Sequence, residues 1–154
     1  MPVYEAQVKV RWITTISNIQ SPTVAEINAG TDLSPFITKD GVRVPTTQNM
    51  VDTADINTVF DSQEPGSWGG TLGLTMKRTT ADTAWNLIVY GLTGFVLISW
   101  DNFTNGTVSA GDKVQVYPAK AHHPVMVPPA ANEVQRFTVE VGVTAEPALK
   151  AVVV

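Results

Sequence analysis

Cysteine is absent from this 154-residue sequence. That absence excludes disulfide frameworks, thiolate metal sites and cysteine nucleophiles together. Charge is scarce as well: Asp, Glu, Lys and Arg make up 16% of the residues, against roughly 25% in an ordinary soluble domain, so part of the surface is expected to be covered by other subunits. There is no run of about 18 apolar residues to cross a membrane. The opening residues, Met1 to Gln7, have no basic segment followed by an apolar core, so no secretory signal is expected there. A basic excess is also missing. The net charge of −4 argues against gripping nucleic acid by counterion release, which needs clustered Lys and Arg facing phosphates. It leaves room for a protein that DNA slides past.

What is present suits one domain over residues 1–154. A chain of this length buries roughly 70% of the surface its unfolded form exposes, enough to fold without disulfide or metal, and no internal repeat divides it. From Ala6 to Trp12, Val8, Val10 and Trp12 alternate with Gln7, Lys9 and Arg11, the period of a half-buried strand. Between Thr14 and Gln48, turn signals separate short apolar pieces such as Val24 to Ile27 and Phe36-Ile37, which read as short strands joined by ordered loops. Asn49 to Phe60 mixes Val51, Ile56, Val59 and Phe60 with acidic residues, and Glu64-Pro65-Gly66-Ser67-Trp68-Gly69-Gly70 then reads as a turn. Leu72, Leu74 and Met76 alternate beyond it, so a long hairpin is expected.

One helix is expected, from about Ala81 to Tyr90, because Ala84, Trp85, Ile88 and Val89 recur at helical spacing. Thr79 or Thr80 can cap it, Asp82 suits its positive end, and Gly91 suits its stop. Phe95 to Trp100 reads as a strand buried on both faces, and Asp101 to Asp112 as a polar turn. Lys113 to Tyr117 and Val134 to Val143 alternate as strands, the latter with Phe137, Val139, Val141 and Val143 on one side. Between them, prolines at 118, 124, 128 and 129 predict that Pro118 to Asn132 is an extended connector, neither central strand nor helix.

No catalytic constellation emerges, and neither a metal nor a cofactor site is expected. His122 and His123 are adjacent, so on an extended chain they point to opposite sides and do not converge on one ion. Asp101, Asn105, Gly106 and Asp112 fit four positions of a calcium loop, but Phe103 occupies a ligand position and the flanks read as strands. The sequons at Asn102 and Asn105 read as turn residues in the absence of a secretory route. The glycine-rich stretch at Gly66 to Gly70 lacks the lysine of a phosphate loop and precedes a strand. Asp52, Asp55, Asp61 and Glu64 are dense, yet no nucleophile or base accompanies them, so they read as solvated or interface carboxylates. Of the tryptophans, Trp12, Trp85 and Trp100 fall in expected strands or helix and read as core. Trp68, on the expected turn, is the plausible contact residue.

The segment Pro22-Thr23-Val24-Ala25-Glu26-Ile27-Asn28-Ala29-Gly30-Thr31-Asp32-Leu33 resembles the opening of tail tube (major tail) proteins from long-tailed, siphovirus-type phages of actinobacteria. Val51 to Ile56 with Pro65 to Gly70, then Ala110 to Val114 with Val116-Tyr117-Pro118, and Pro129 to Phe137 follow in the order found in such proteins. The resemblance covers about Ser21 to Thr144, leaving residues 1–20 as an N-terminal strand or arm and 145–154 as a C-terminal tail. It implies a mainly β fold, a β-sandwich or barrel of the tail-tube type with one flanking helix, in a virion structural protein made in the host cytoplasm that is not an enzyme. It also implies hexameric rings stacked into a tube, with tape measure, tail terminator and distal tail proteins as partners and double-stranded DNA passing without specific binding. Four strands from each of six subunits would make about 24, which at roughly 4.8 Å spacing and about 40° tilt close a barrel about 48 Å across. On that reading Asp52, Asp55, Asp61 and Glu64 are expected to line or rim the channel, and Trp68 to meet a neighbouring subunit. A different class stays open beside it: a virion or cell-surface adhesion module binding through Trp68 and nearby loops.

Overall fold

Where apolar residues alternate, the chain is extended. The computed structural model describes residues 8–44, 47–57, 59–101, 103 and 107–154. In chain order the elements are β1 (Lys9–Ile13), α1 (Val24–Asn28), β2 (Thr31–Asp32), β3 (Ile37–Arg43), β4 (Thr47–Asp52), β5 (Gln63–Gly69), β6 (Thr71–Lys77), α2 (Thr83–Leu87), β7 (Thr93–Ser99), β8 (Lys113–Ala121), β9 (Val125–Met126), β10 (Arg136–Val143) and β11 (Ala148–Val152). All but β4 and β5 join one antiparallel sheet, whose main path runs β2-β1-β7-β8-β10-β6-β3, with β11 on β8 and β9 on β10. The expected mainly β fold is present.

The sheet has a core on each face. Residues from both ends of its path meet in the larger one: Val10 and Trp12 of β1 pack with Leu72, Leu74 and Met76 of β6 and Phe137, Val139 and Val141 of β10, and Val42 of β3 leans against them. The sheet is therefore curled, and the Leu33 N–H extends the pairing of β1 with β2 by donating to the Val10 carbonyl. Helix α2 covers this core. Ala84 and Ile88 are buried in it, and Trp85 meets Phe137 edge to face at 5.0 Å between ring centres. The second core lies behind β7 and β8, where Leu97, Val114 and Val116 pack against Ile27 of α1 and against Ala148, Ala151 and Val153.

Several sequence expectations are corrected. Val24 to Ile27, expected extended, is helical because Thr23 and Glu26 form a capping box: the Thr23 hydroxyl accepts from the Glu26 N–H and the Glu26 carboxylate accepts from the Thr23 N–H. Helix α2 is shorter than 81–90. Asp82 sits at its N-cap in a left-handed conformation without a side-chain cap, because its carboxylate is held by Arg78 instead. Gly91 is not its stop: Ile88 is already the extended C-cap, and Gly91, at φ +83°, lies in the turn that follows. Pro118 was expected in a connector but lies inside β8, opposite Phe95 of β7. Its carbonyl accepts from the Thr144 N–H, so its nitrogen faces the same side, at the gap where β8 changes partner from β11 to β10. The missing donor is not needed there. Residues 145–154, expected as a tail, include β11 and the buried Val153. The Asn-Gly turn and sequons at 102–106 fall largely outside the described residues.

Candidate functional site

Strands β4 and β5 form a separate two-stranded sheet that packs hardly at all against the rest of the protein. Every residue of β4 is exposed. The expected hairpin, with its second arm at Leu72 to Met76, is corrected: β4 pairs with β5, most of which read as a turn, while β6 pairs with β10 and β3. Pro65 and Gly66, which would weaken a central strand, are tolerated because this ribbon is an edge on both sides. The register slips between Gln48 and Met50, so that Gly66 and Ser67 together oppose Asn49, and the Asn49 amide donates to the Ser67 hydroxyl at 2.9 Å.

All four expected carboxylates fall on this element, and all are exposed. They do not share a face. Asp52 opposes Gln63, and Glu64 opposes Val51; opposed residues share a face while successive ones alternate, so Asp52 and Glu64 point to opposite sides. Asp52 also accepts from the Ala54 N–H, and Asp55 from the Asn57 N–H, both at 2.9 Å. These two close Asx turns that shape the tip.

The charge is concentrated in a way that needs the fold to be appreciated. Between Val44 and Met76 there are four carboxylates and no Lys or Arg, while the rest of the chain holds ten acidic and ten basic residues. The hairpin therefore carries the whole net charge of −4. Its tip is also apolar: Ile56 is 99% exposed, Val59 104% and Phe60 82%.

Trp68 lies on β5, opposite Gln48, and turns toward the body. There it lines a groove of about 560 Å³ with Met50, Pro65, Trp100, Tyr117 and Leu149. A second hollow of about 380 Å³ shares Trp100, Gln115 and Leu149 and continues past Lys113, Lys150 and Val152. Trp100, expected as core, stands just beyond β7 and is 43% exposed. Its indole N–H donates to the Gln115 side-chain Oε1 at 2.9 Å, and the Tyr117 hydroxyl donates to the same oxygen at 3.0 Å. That shared acceptor fixes both aromatic rings along the groove wall. Burial pushes the Tyr117 phenol above its ordinary range.

The remaining candidates are separate from the hairpin. His122 and His123 follow β8, exposed, with the His123 ring stacked on Tyr90 at 4.4 Å. The His123 backbone N–H donates to His122 Nδ1 at 2.7 Å. Asp112 accepts from the Ser109 N–H, and its partners in the calcium-like spacing lie partly outside the described residues. Among the described residues, no group of three His, Cys, Asp or Glu side chains is placed to hold a metal, and no helix is long and apolar enough to cross a membrane.

Comparison with known proteins agrees with this picture. No curated protein matches the sequence. Among solved structures, the fold is similar to a chain in the electron cryomicroscopy structure of the anti-feeding prophage baseplate, six-fold symmetrised, with a TM-score of 0.64 and 12% identity over 96% of this chain and 94% of that one. The family model described as phage tail tube protein matches residues 4–154. The chain therefore belongs to the phage tail tube protein family, and is a structural component of a phage tail.

Proposed function

We propose that this protein is the repeating subunit of the tail tube of a siphovirus-type actinobacterial phage, with six copies closing each ring and rings stacking around the channel for genome ejection. The observation that carries the proposal is the β4–β5 hairpin. An isolated two-stranded hairpin is marginal in water, and this one presents Ile56, Val59 and Phe60 almost fully to solvent, so it completes its burial only against another molecule. The two-residue β2 and the edge strand β3 end the sheet path and offer further unpaired backbone for lateral contacts. Head-to-tail contacts of this kind close into rings or continue as filaments according to their rotation. The six-fold symmetry of the baseplate that contains the similar chain supports six as the number.

In this tube Asp52 and Glu64 rim the channel where rings meet, with Glu64 on the ribbon face turned away from the groove, while Asp55 and Asp61 go with the tip to the contact between copies. Six copies at −4 each give about −24 per ring, which repels phosphates and keeps the duplex from adhering. Tape measure, tail terminator and distal tail proteins complete the assembly. Negative-stain microscopy of the concentrated protein tests the reading. Tubes with a regular axial repeat, or six-fold rings, are expected. A protein that stays monomeric at every concentration, even with the initiating tail complex, overturns it.

A further inference from the structure

We infer that the tip of the hairpin docks into the groove between Trp100 and β11 of a second copy, with its carboxylates set against Lys113 and Lys150 there. The inference rests on the tube reading and names the surface that reading leaves open. The occupant is argued from complementarity. The tip combines exposed Ile56, Val59 and Phe60 with Asp55 and Asp61 and has no basic residue. The groove combines exposed Trp100, Leu149 and Val152 with two lysines that make no ion pair among the described residues, against a single acid, Asp101. Apolar matter meets apolar matter, and the signs are opposite.

The same chain cannot supply the tip. Six extended residues of β4 at about 3.3 Å each carry it about 20 Å from the hairpin base, and the hairpin's own strands line the adjoining hollow through Trp68, Met50 and Pro65, leaving the docking groove to another copy. A tip that projects past its own groove, which accepts the same chemistry, makes a contact that passes from copy to copy without pairing off. The Gln115 side-chain amide, fixing Trp100 and Tyr117 together through its Oε1, prepares the apolar wall before the tip arrives.

The absence of cysteine makes a direct test possible. Phe60→Cys and Leu149→Cys are introduced into one full-length chain, assembled, and oxidised. A ladder of covalent oligomers that collapses on reduction is expected, while either cysteine alone gives at most dimers. In parallel, Lys150→Glu is expected to raise the concentration needed for assembly about ten-fold, and adding Asp61→Lys to restore it to within about three-fold. Thermal melting of the unassembled variants checks that each still folds. If the parent protein assembles and the double-cysteine chain yields no ladder, or if the charge reversal is not rescued, the docking surface is wrong and the tube stands. If the parent never assembles, both fall.

Discussion

Replacing Ile56 and Phe60 together by serine separates what the hairpin does for its own chain from what it does for the assembly. Both side chains are almost wholly exposed, at 99% and 82%, so the isolated subunit gains nothing from burying them. Its unfolding free energy is expected to change by less than about 0.5 kcal/mol, as for other surface substitutions, and its melting temperature by less than about 2 °C. In the tube the same side chains are covered. Burying a large apolar side chain is worth about 1.5–3 kcal/mol, so the pair contributes about 3–6 kcal/mol per contact, and each 1.4 kcal/mol is a factor of about ten in the binding constant. The concentration for assembly is then expected to rise by roughly two to four orders of magnitude. Sedimentation velocity across a concentration series measures the second quantity and calorimetry the first. Unchanged assembly would show that the tip is not at an interface, and a melting temperature lowered by several degrees would show that it packs on its own chain.

Other substitutions probe the body. Phe137→Ala empties a fully buried position against Trp85 and is expected to cost about 3–5 kcal/mol, measured by urea unfolding. Gly94→Ala places a Cβ 2.8 Å from the Ile13 carbonyl oxygen and 2.9 Å from the Trp12 indole nitrogen, whereas one at Gly69 meets nothing within 4 Å; the first is expected to cost about 1–3 kcal/mol and the second to stay within about 0.5 kcal/mol, by the same measurement. The Glu26 carboxyl is held below its ordinary range by the N–H groups of Thr23 and Ser17. Because its folded value is the lower one, its stabilisation is complete above the ordinary range near pH 4.3 and is lost as pH falls through the folded value. Glu26→Gln is therefore expected to cost about 1 kcal/mol at pH 7, with the gap to the parent narrowing as pH falls below the ordinary carboxylate range in parallel denaturant titrations.

The strands that were legible in the sequence are those that bury one face or both. Val8 to Trp12, Leu72 to Met76, Phe95 to Ser99 and Val134 to Val143 show it through alternation or an unbroken apolar run. What was not legible obeys other physics. Helix α1 has five residues, too few for a period of 3.6 to show, and its one signal was the Thr23–Glu26 spacing of a capping box. Strand β5 buries almost nothing, so it has no apolar alternation, and its Pro and Gly spoke for a turn. Pro118 is acceptable in β8 only because a change of partner falls opposite its nitrogen, a matter of topology. For the site, the acidic density pointed to the right element. The splitting of Asp52 and Glu64 between two faces depends on register, and the groove that receives Trp68 joins residues as distant as Met50 and Leu149.

The location of the net charge has a colloidal consequence. Without the hairpin the body holds equal numbers of acidic and basic residues, and a particle near zero charge tends to precipitate at neutral pH. Four carboxylates on a projecting arm give the newly made subunit the repulsion that keeps crowded copies dispersed, acting over a Debye length of about 8 Å at physiological salt. Once the arm is seated against a neighbour's lysines, that repulsion is spent. The appendage that keeps the subunit in solution is then the one whose capture takes it out of solution and into the tail.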